Sequence, residues 1–213
     1  VQSIAQSQKI KSEAFASTDT IIGSGTLTIA FGTYNGDGTF TANTEKAAKT
    51  ITIDPAKSTL ADIRDTINDA NAGITASIVN DGSGNRLVIA SKDSGLANAL
   101  KITVNDADGN HTNNAGLSKL AFDASTGGVA NMTETVAAKN AVLVIDGITI
   151  QKSSNTIDDA LEGVTLNLLK ADPGTTSTLT VEKDNSSVEA AMKAFVTTYN
   201  SLEKTVTNLS RYD

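Results

Sequence analysis

The 213-residue chain contains no cysteine and no tryptophan, and it has a single histidine. The lack of cysteine excludes disulfides, thiolate metal sites and cysteine nucleophiles together. A lone histidine also leaves little basis for a catalytic triad or a histidine-rich metal cluster. Aromatic residues make up only 4% of the chain. We therefore expect a core built from Ile, Leu, Val and Ala.

Positive charge is scarce as well: 17 Lys and Arg stand against 24 Asp and Glu, which gives a formal net charge of −7. Nucleic-acid phosphates and anionic membrane surfaces both repel such a chain. It also lacks the apolar run of about 18 residues that would predict a transmembrane helix. The chain begins at Val1 without an initiator Met and stops within a helical pattern, so we expect a fragment of a longer protein.

Alternating apolar residues predict β-strands over much of the chain. Leu27, Ile29 and Phe31 share one face of such a strand, and residues 35–38 (NGDG) favour a turn after it. Residues 141–151 (AVLVIDGITIQ) predict a hairpin whose turn is Asp-Gly, and residues 177–183 predict a further strand. Residues 105–138 are rich in Gly, Asn, Ala and Thr, and we expect a long irregular surface stretch there.

Two short helices are predicted within this β-rich pattern. Thr59 and Asp62 have the spacing of a capping box, apolar residues follow at helical intervals, and Gly73 suits a left-handed position after the helix. Residues 155–163 (NTIDDALEG) predict a second capped helix that ends at Gly163.

The sequence predicts no catalytic, cofactor or metal site. His111 lies in a polar stretch and is expected to be a solvated loop residue. Residues 106–110 (DADGN) begin like a calcium loop, but His111 replaces the required Gly and Leu117 the required Glu. Five carboxylates of the predicted helices fit a solvated face or a first turn: Asp62, Asp65, Asp69, Asp158 and Asp159.

A heptad pattern marks the C-terminal segment. Apolar residues alternate there in steps of four and three, which predicts a helix with a coiled-coil seam. We call these residues the apolar stripe: Val188, Met192, Phe195, Tyr199, Leu202, Val206 and Leu209. Such a seam requires a second helix, from another part of the protein or from a second copy. The alternative is an ordinary amphipathic helix that lies on the β-rich domain.

Two long stretches resemble a known family. Residues 59–95 are similar to the insertion motif of flagellar filament cap proteins and some flagellins, and residues 138–202 to the start of the conserved C-terminal half of the cap protein, also called hook-associated protein 2. The resemblance implies an α+β, predominantly β fold. Two β-rich head domains, one inserted in the other, precede a C-terminal coiled-coil-type helix.

The same resemblance implies domain boundaries. Residues 1–18 are an extended lead-in from an N-terminal leg. Residues 19–48 and 139–184 form the first, discontinuous head domain, and residues 49–138 form the inserted second one. The C-terminal leg helix starts in residues 185–213.

The resemblance further implies a structural role without enzymatic activity. Family members form an oligomeric cap at the distal tip of the bacterial flagellum, reach it through the flagellar secretion channel, and promote folding and insertion of flagellin. Implied partners are further copies of the chain, flagellin and the hook-associated junction proteins, with no cofactor, nucleic acid or membrane. Three alternatives stay open: an adhesin module that binds host mucin or glycans, the outer domain of a flagellin, and an enzyme.

Overall fold

The computed structural model describes residues 1–180 and 185–211. Residues 1–175 and 176–213 are separate compact units. The helices and strands are, in chain order, β1 Lys9–Lys11, β2 Gly25–Tyr34, β3 Phe40–Ala42, β4 Lys49–Ile53, α1 Leu60–Asp69, β5 Ile74–Asn80, β6 Asn85–Ser91, β7 Ala99–Asp106, β8 Thr133–Val136, β9 Ala141–Ile145, β10 Ile148–Lys152, β11 Thr156–Leu161, β12 Val164–Asn167 and α2 Ser186–Leu209. The α+β, predominantly β class is confirmed.

Strand β2 is the centre of the first sheet. It pairs antiparallel with β7 along one edge and with β3 and β4 along the other. Leu27, Ile29 and Phe31 are buried, as their alternation predicts. The hairpin to β3 is confirmed, because Tyr34 pairs with Phe40 across the NGDG turn.

Helix α1 begins at the predicted capping box, in which Thr59 and Asp62 each accept a hydrogen bond from the other's backbone. Its buried residues Leu60, Ile63 and Ile67 join the same hydrophobic core as β2. The helix ends differently from the prediction. Asn71 takes the left-handed conformation directly after the C-cap, with φ of 47°, and Gly73 follows with φ of 76°.

A second sheet has the order β5-β6-β1-β8. The predicted hairpin of β5 and β6 is confirmed, with Ala76 opposite Ile89. The extended lead-in adds β1 to the other edge of β6, and Ile10 of β1 is fully buried. The lead-in is therefore part of the sheet and of the core.

The prediction of an irregular surface stretch at residues 105–138 is wrong in part. A 3-10 helix at Gly116–Leu120 buries Leu117 and Leu120, and Phe122 and Met132 are buried beyond it. Strand β8 then pairs with β1. Short 3-10 turns and isolated bridges bury apolar residues without a sequence period, so the Gly- and Asn-rich composition conceals this part of the core.

Strands β9 to β12 form two antiparallel hairpins. The Asp146-Gly147 turn is confirmed, with φ of 50° and 83° as a type I′ turn requires. The helix predicted at residues 155–163 is wrong, because β11 pairs with β12 around Gly163. Ile157 of β11 lies opposite Leu166 and is buried, which favours the strand over the local helical spacing.

Strand pairing differs from the predicted domain division. Residues 19–48 were grouped with residues 139–184, yet β2 pairs with β4 and β7, which belong to the segment predicted to be inserted. Outside its own hairpin, β9 is bridged at Val142 by Ser3, and Gln6 bridges Lys139 just before β9. A strand's own sequence shows its alternation but not its neighbour, so this grouping could not be read from the pattern.

The second unit contains α2, as the heptad pattern predicts. Of the strand predicted at residues 177–183, residues 177–180 have no regular structure and the remainder lies outside the described residues.

Candidate functional site

The polar groups of the loop around Asp106 bond to its own backbone. Exposed His111 accepts a hydrogen bond at Nδ1 from the backbone N of Asp106, over 3.0 Å. The Asp106 carboxylate is buried and accepts from the backbone N of Ser118 at 2.9 Å and of Asp108 at 3.3 Å. These groups hold the loop together, so the likeness to a calcium loop reflects backbone capping.

Two of the other acidic residues that the sequence singles out also have structural partners. Arg64 donates to Asp65, and this hydrogen bond holds the pKa of Asp65 below its ordinary value. Lys152 lowers the pKa of Asp159 in the same way, over 2.5 Å. A general acid requires a raised carboxyl pKa, which neither residue has. Within residues 1–180 and 185–211, no three His, Cys, Asp or Glu side chains converge as metal ligands.

The apolar stripe of α2 is the first candidate binding surface. All seven of its side chains are exposed, from 56% at Val188 and Val206 to 71% at Phe195 and Leu209. The rings of Phe195 and Tyr199 stack along the stripe, with centroids 6.4 Å apart. Large side chains in such a row are typical of one half of a helix–helix contact. No described helix is both long and apolar enough to cross a membrane.

A cleft between the two C-terminal hairpins is the second candidate. It has a volume of about 380 Å³, and Ile145, Ile148 and Ile150 line one side while Ala160 and Leu161 line the other. Sequence reasoning did not identify this cleft. A signal was present, because β9 (AVLVI) is apolar at every position, which is typical of a strand covered on both faces.

Comparisons with known proteins agree with the resemblance seen in the sequence. A family model of the flagellar hook-associated protein 2 C-terminus matches residues 138–213, and one of the flagellin hook IN motif matches residues 26–93. The crystal structure of FliD from Pseudomonas aeruginosa has a TM-score of 0.72 and 32% identity, and the match covers 99% of this chain and 89% of that one. The chain belongs to the flagellar hook-associated protein 2 family.

Further members support the assignment. The D2-D3 domains of the flagellar cap protein FliD from Escherichia coli match with a TM-score of 0.68 and 38% identity, covering 81% of this chain and 80% of that one. Flagellar hook-associated protein 2 of Salmonella typhimurium is 40% identical over 162 residues, which are 76% of this chain. The match covers only 33% of that relative, so the chain spans about a third of its length.

Proposed function

We propose that the chain is part of an oligomeric cap at the distal, extracellular end of the bacterial flagellar filament. In this role it reaches the tip through the flagellar secretion channel, retains exported flagellin there, and promotes its folding and insertion. Its partners are further copies of itself, flagellin and the hook-associated junction proteins. The β-rich unit is the head, and α2 begins a leg.

The exposed apolar stripe is the observation that carries this proposal. Burial of a large apolar side chain stabilises by about 1.5–3 kcal/mol, so covering the whole stripe is worth on the order of 10 kcal/mol. An isolated helix gains little from propensity alone and depends on packing of its apolar face. Helix α2 is therefore best explained as part of a leg that packs against another helix of the full-length protein.

A cap of this kind needs no covalent chemistry. Holding flagellin near the growing end raises its effective concentration there, and that alone favours insertion over diffusion away from the tip. We propose on this basis that the chain is not an enzyme. The described residues offer no feature that favours an adhesin.

The test is complementation of a cap-deficient strain with the full-length protein. The double variant Phe195→Asp, Leu202→Asp adds two charges to the stripe and should abolish filament growth and swimming. The circular dichroism spectrum of the head should stay unchanged. The matched control places the same two charges on the opposite face, as Thr197→Asp and Asn200→Asp, and should swim. Normal filaments from the stripe variant would contradict the role of the stripe.

A further inference from the structure

Within residues 1–175, the C-terminal hairpins do not share the main core. That core is one hydrophobic cluster, which joins β2, α1 and both larger sheets. Leu143 and Ile157 are buried in the hairpins, but they do not belong to the cluster. We call β9 to β12 with residues 1–6 the hairpin body, and residues 8–136 the sheet body. Two such bodies are expected to move relative to each other unless a large apolar interface joins them.

A two-stranded ribbon carries the chain between the two bodies. Its crossing segments keep one antiparallel register through three pairs: Ser3 with Val142, Gln6 with Lys139, and Lys9 with Val136. The register shifts at the next pair, Ile10 with Glu134, which leaves Thr135 as an extra residue where the ribbon enters the sheet body. Two-stranded ribbons twist more than wider sheets, and a bulge bends a strand pair. The ribbon is therefore suited to act as a pivot.

Three hydrogen bonds beside the ribbon link the sheet body to the hairpin body. Their donors are consecutive residues: the Ser94 hydroxyl to the carbonyl of Ser153 at 2.6 Å, the Gly95 backbone N to the carbonyl of Gln6 at 3.2 Å, and the Leu96 backbone N to Oδ1 of Asn140 at 2.8 Å. We call these three bonds the latch. A Cβ at Gly95 would lie 2.5 Å from Cβ of Ser153, at a φ of +99°, so the close approach requires glycine.

We propose that the hairpin body pivots on the ribbon against the sheet body, and that the latch holds the closed arrangement. The three donors lie in one short segment, so the bonds form and break together. Opening the latch leaves the core of each body intact, because the buried hairpin residues lie outside the main cluster. This inference rests on contacts within residues 1–175, and not on the proposed role at the filament tip.

Hydrogen exchange of the 213-residue chain, measured by NMR, tests whether the latch opens as a unit. Ser94→Ala removes one bond, while the Leu96 amide keeps its acceptor on Asn140. Exchange of the Leu96 amide should nevertheless rise about fivefold, the factor that one lost hydrogen bond gives. Ser77→Ala is the matched control, because Ser77 is exposed on β5, and it should leave exchange at Leu96 unchanged. Unchanged exchange at Leu96 in Ser94→Ala would overturn the proposal.

The distance between two spin labels tests whether the whole hairpin body moves. The labels are attached at Val79→Cys on β5 and Thr149→Cys on β10, which are exposed sites in a chain without cysteine. Gly95→Ala should force the latch open, and it should shift or broaden the distribution of distances measured by pulsed electron paramagnetic resonance. Gly109→Ala is the matched control, since its Cβ also has a positive φ but meets nothing within 4 Å. It should leave the distribution unchanged.

A second latch variant covers the case in which Gly95→Ala folds poorly. Asn140→Ala removes the acceptor of the Leu96 bond without backbone strain, and it should change the distribution of distances in the same direction. Faster exchange at Leu96 with unchanged distances would show that only residues 94–96 open, which overturns the pivot. Unchanged distances in a folded Gly95→Ala or Asn140→Ala protein would overturn it as well.

Discussion

The side-chain amides of two asparagines each form two hydrogen bonds with the backbone of one alanine. Replacing either asparagine should destabilise the β-rich unit measurably. Asn68 of α1 accepts from the backbone N of Ala76 at 2.8 Å and donates to its carbonyl at 2.9 Å. Ala76 lies on β5, the edge strand of its sheet. Asn155 does the same for Ala5, at 2.7 and 3.0 Å. Each amide thus takes the place of a neighbouring strand.

The loss of stability expected for Asn68→Ala follows from its two lost hydrogen bonds to Ala76, which is only 7% exposed. A net value of about 1 kcal/mol for each bond gives a loss of about 2 kcal/mol. In a domain of this size that lowers Tm by roughly 4–8 °C. The higher helix propensity of Ala offsets part of the loss, by about 0.5 kcal/mol.

The assay is thermal and urea unfolding followed by circular dichroism. Asp69→Ala is the matched control, because Asp69 is the next residue of the same helix and is exposed. This variant gains a similar helix propensity but loses no hydrogen bond to Ala76. It should unfold at or slightly above the wild-type temperature. Asn155→Ala should lower the free energy of unfolding by a similar amount. The double variant should lower it by the sum, because the two pairs of hydrogen bonds share no partner. An Asn68→Ala protein as stable as Asp69→Ala would refute the reasoning.

Two further predictions concern single contacts in the same unit. Burial raises the pKa of Asp123, but hydrogen bonds led by that of Lys101, 2.7 Å away, outweigh it and hold the pKa below its ordinary value. A carboxyl group whose pKa is lowered by folding stabilises the folded state above the unfolded pKa, and this stabilisation is lost as pH falls through the folded pKa. The urea midpoints of wild type and Asp123→Asn should therefore converge in acid. A difference in midpoint that persists unchanged would contradict this. Gly116→Ala would place a Cβ 2.6 Å from Oδ2 of Asp106 at a φ of +56°, and it should cost more than Gly109→Ala, whose Cβ at φ +83° meets nothing within 4 Å. Equal losses in urea unfolding would show that the contact with Asp106 is unimportant.

Features set by neighbouring residues were predictable from the sequence. The capping box of Thr59 and Asp62 and the Asp146-Gly147 turn both formed as expected, because each depends on a few adjacent residues. Helix α2 was likewise predictable from its heptads. Whether its stripe packs in a coiled coil stays a prediction, since that depends on a partner helix.

Features set by distant partners were not predictable. Residues 156–161 have the spacing of a helix, but burial of Ile157 opposite Leu166 stabilises a strand there. Strand β2 is a second example: its alternating apolar residues predict the strand, but they do not predict that it pairs with β4 and β7. The cleft was missed for the same reason, because it exists only where two hairpins meet.

Two open apolar surfaces argue for association with other polypeptide. Several polar side chains satisfy backbone groups by hydrogen bonds. Asn68 bonds to the backbone of β5, Asn155 to that of Ala5, and Asp106 to that of its own loop. Where it leaves surface open, at the stripe of α2 and at the cleft beside β10, the exposed groups are large and apolar. Open apolar surface costs free energy in water until a partner covers it. The stripe and the cleft are therefore available for contact with other polypeptide, as the proposed head and leg of a cap would require.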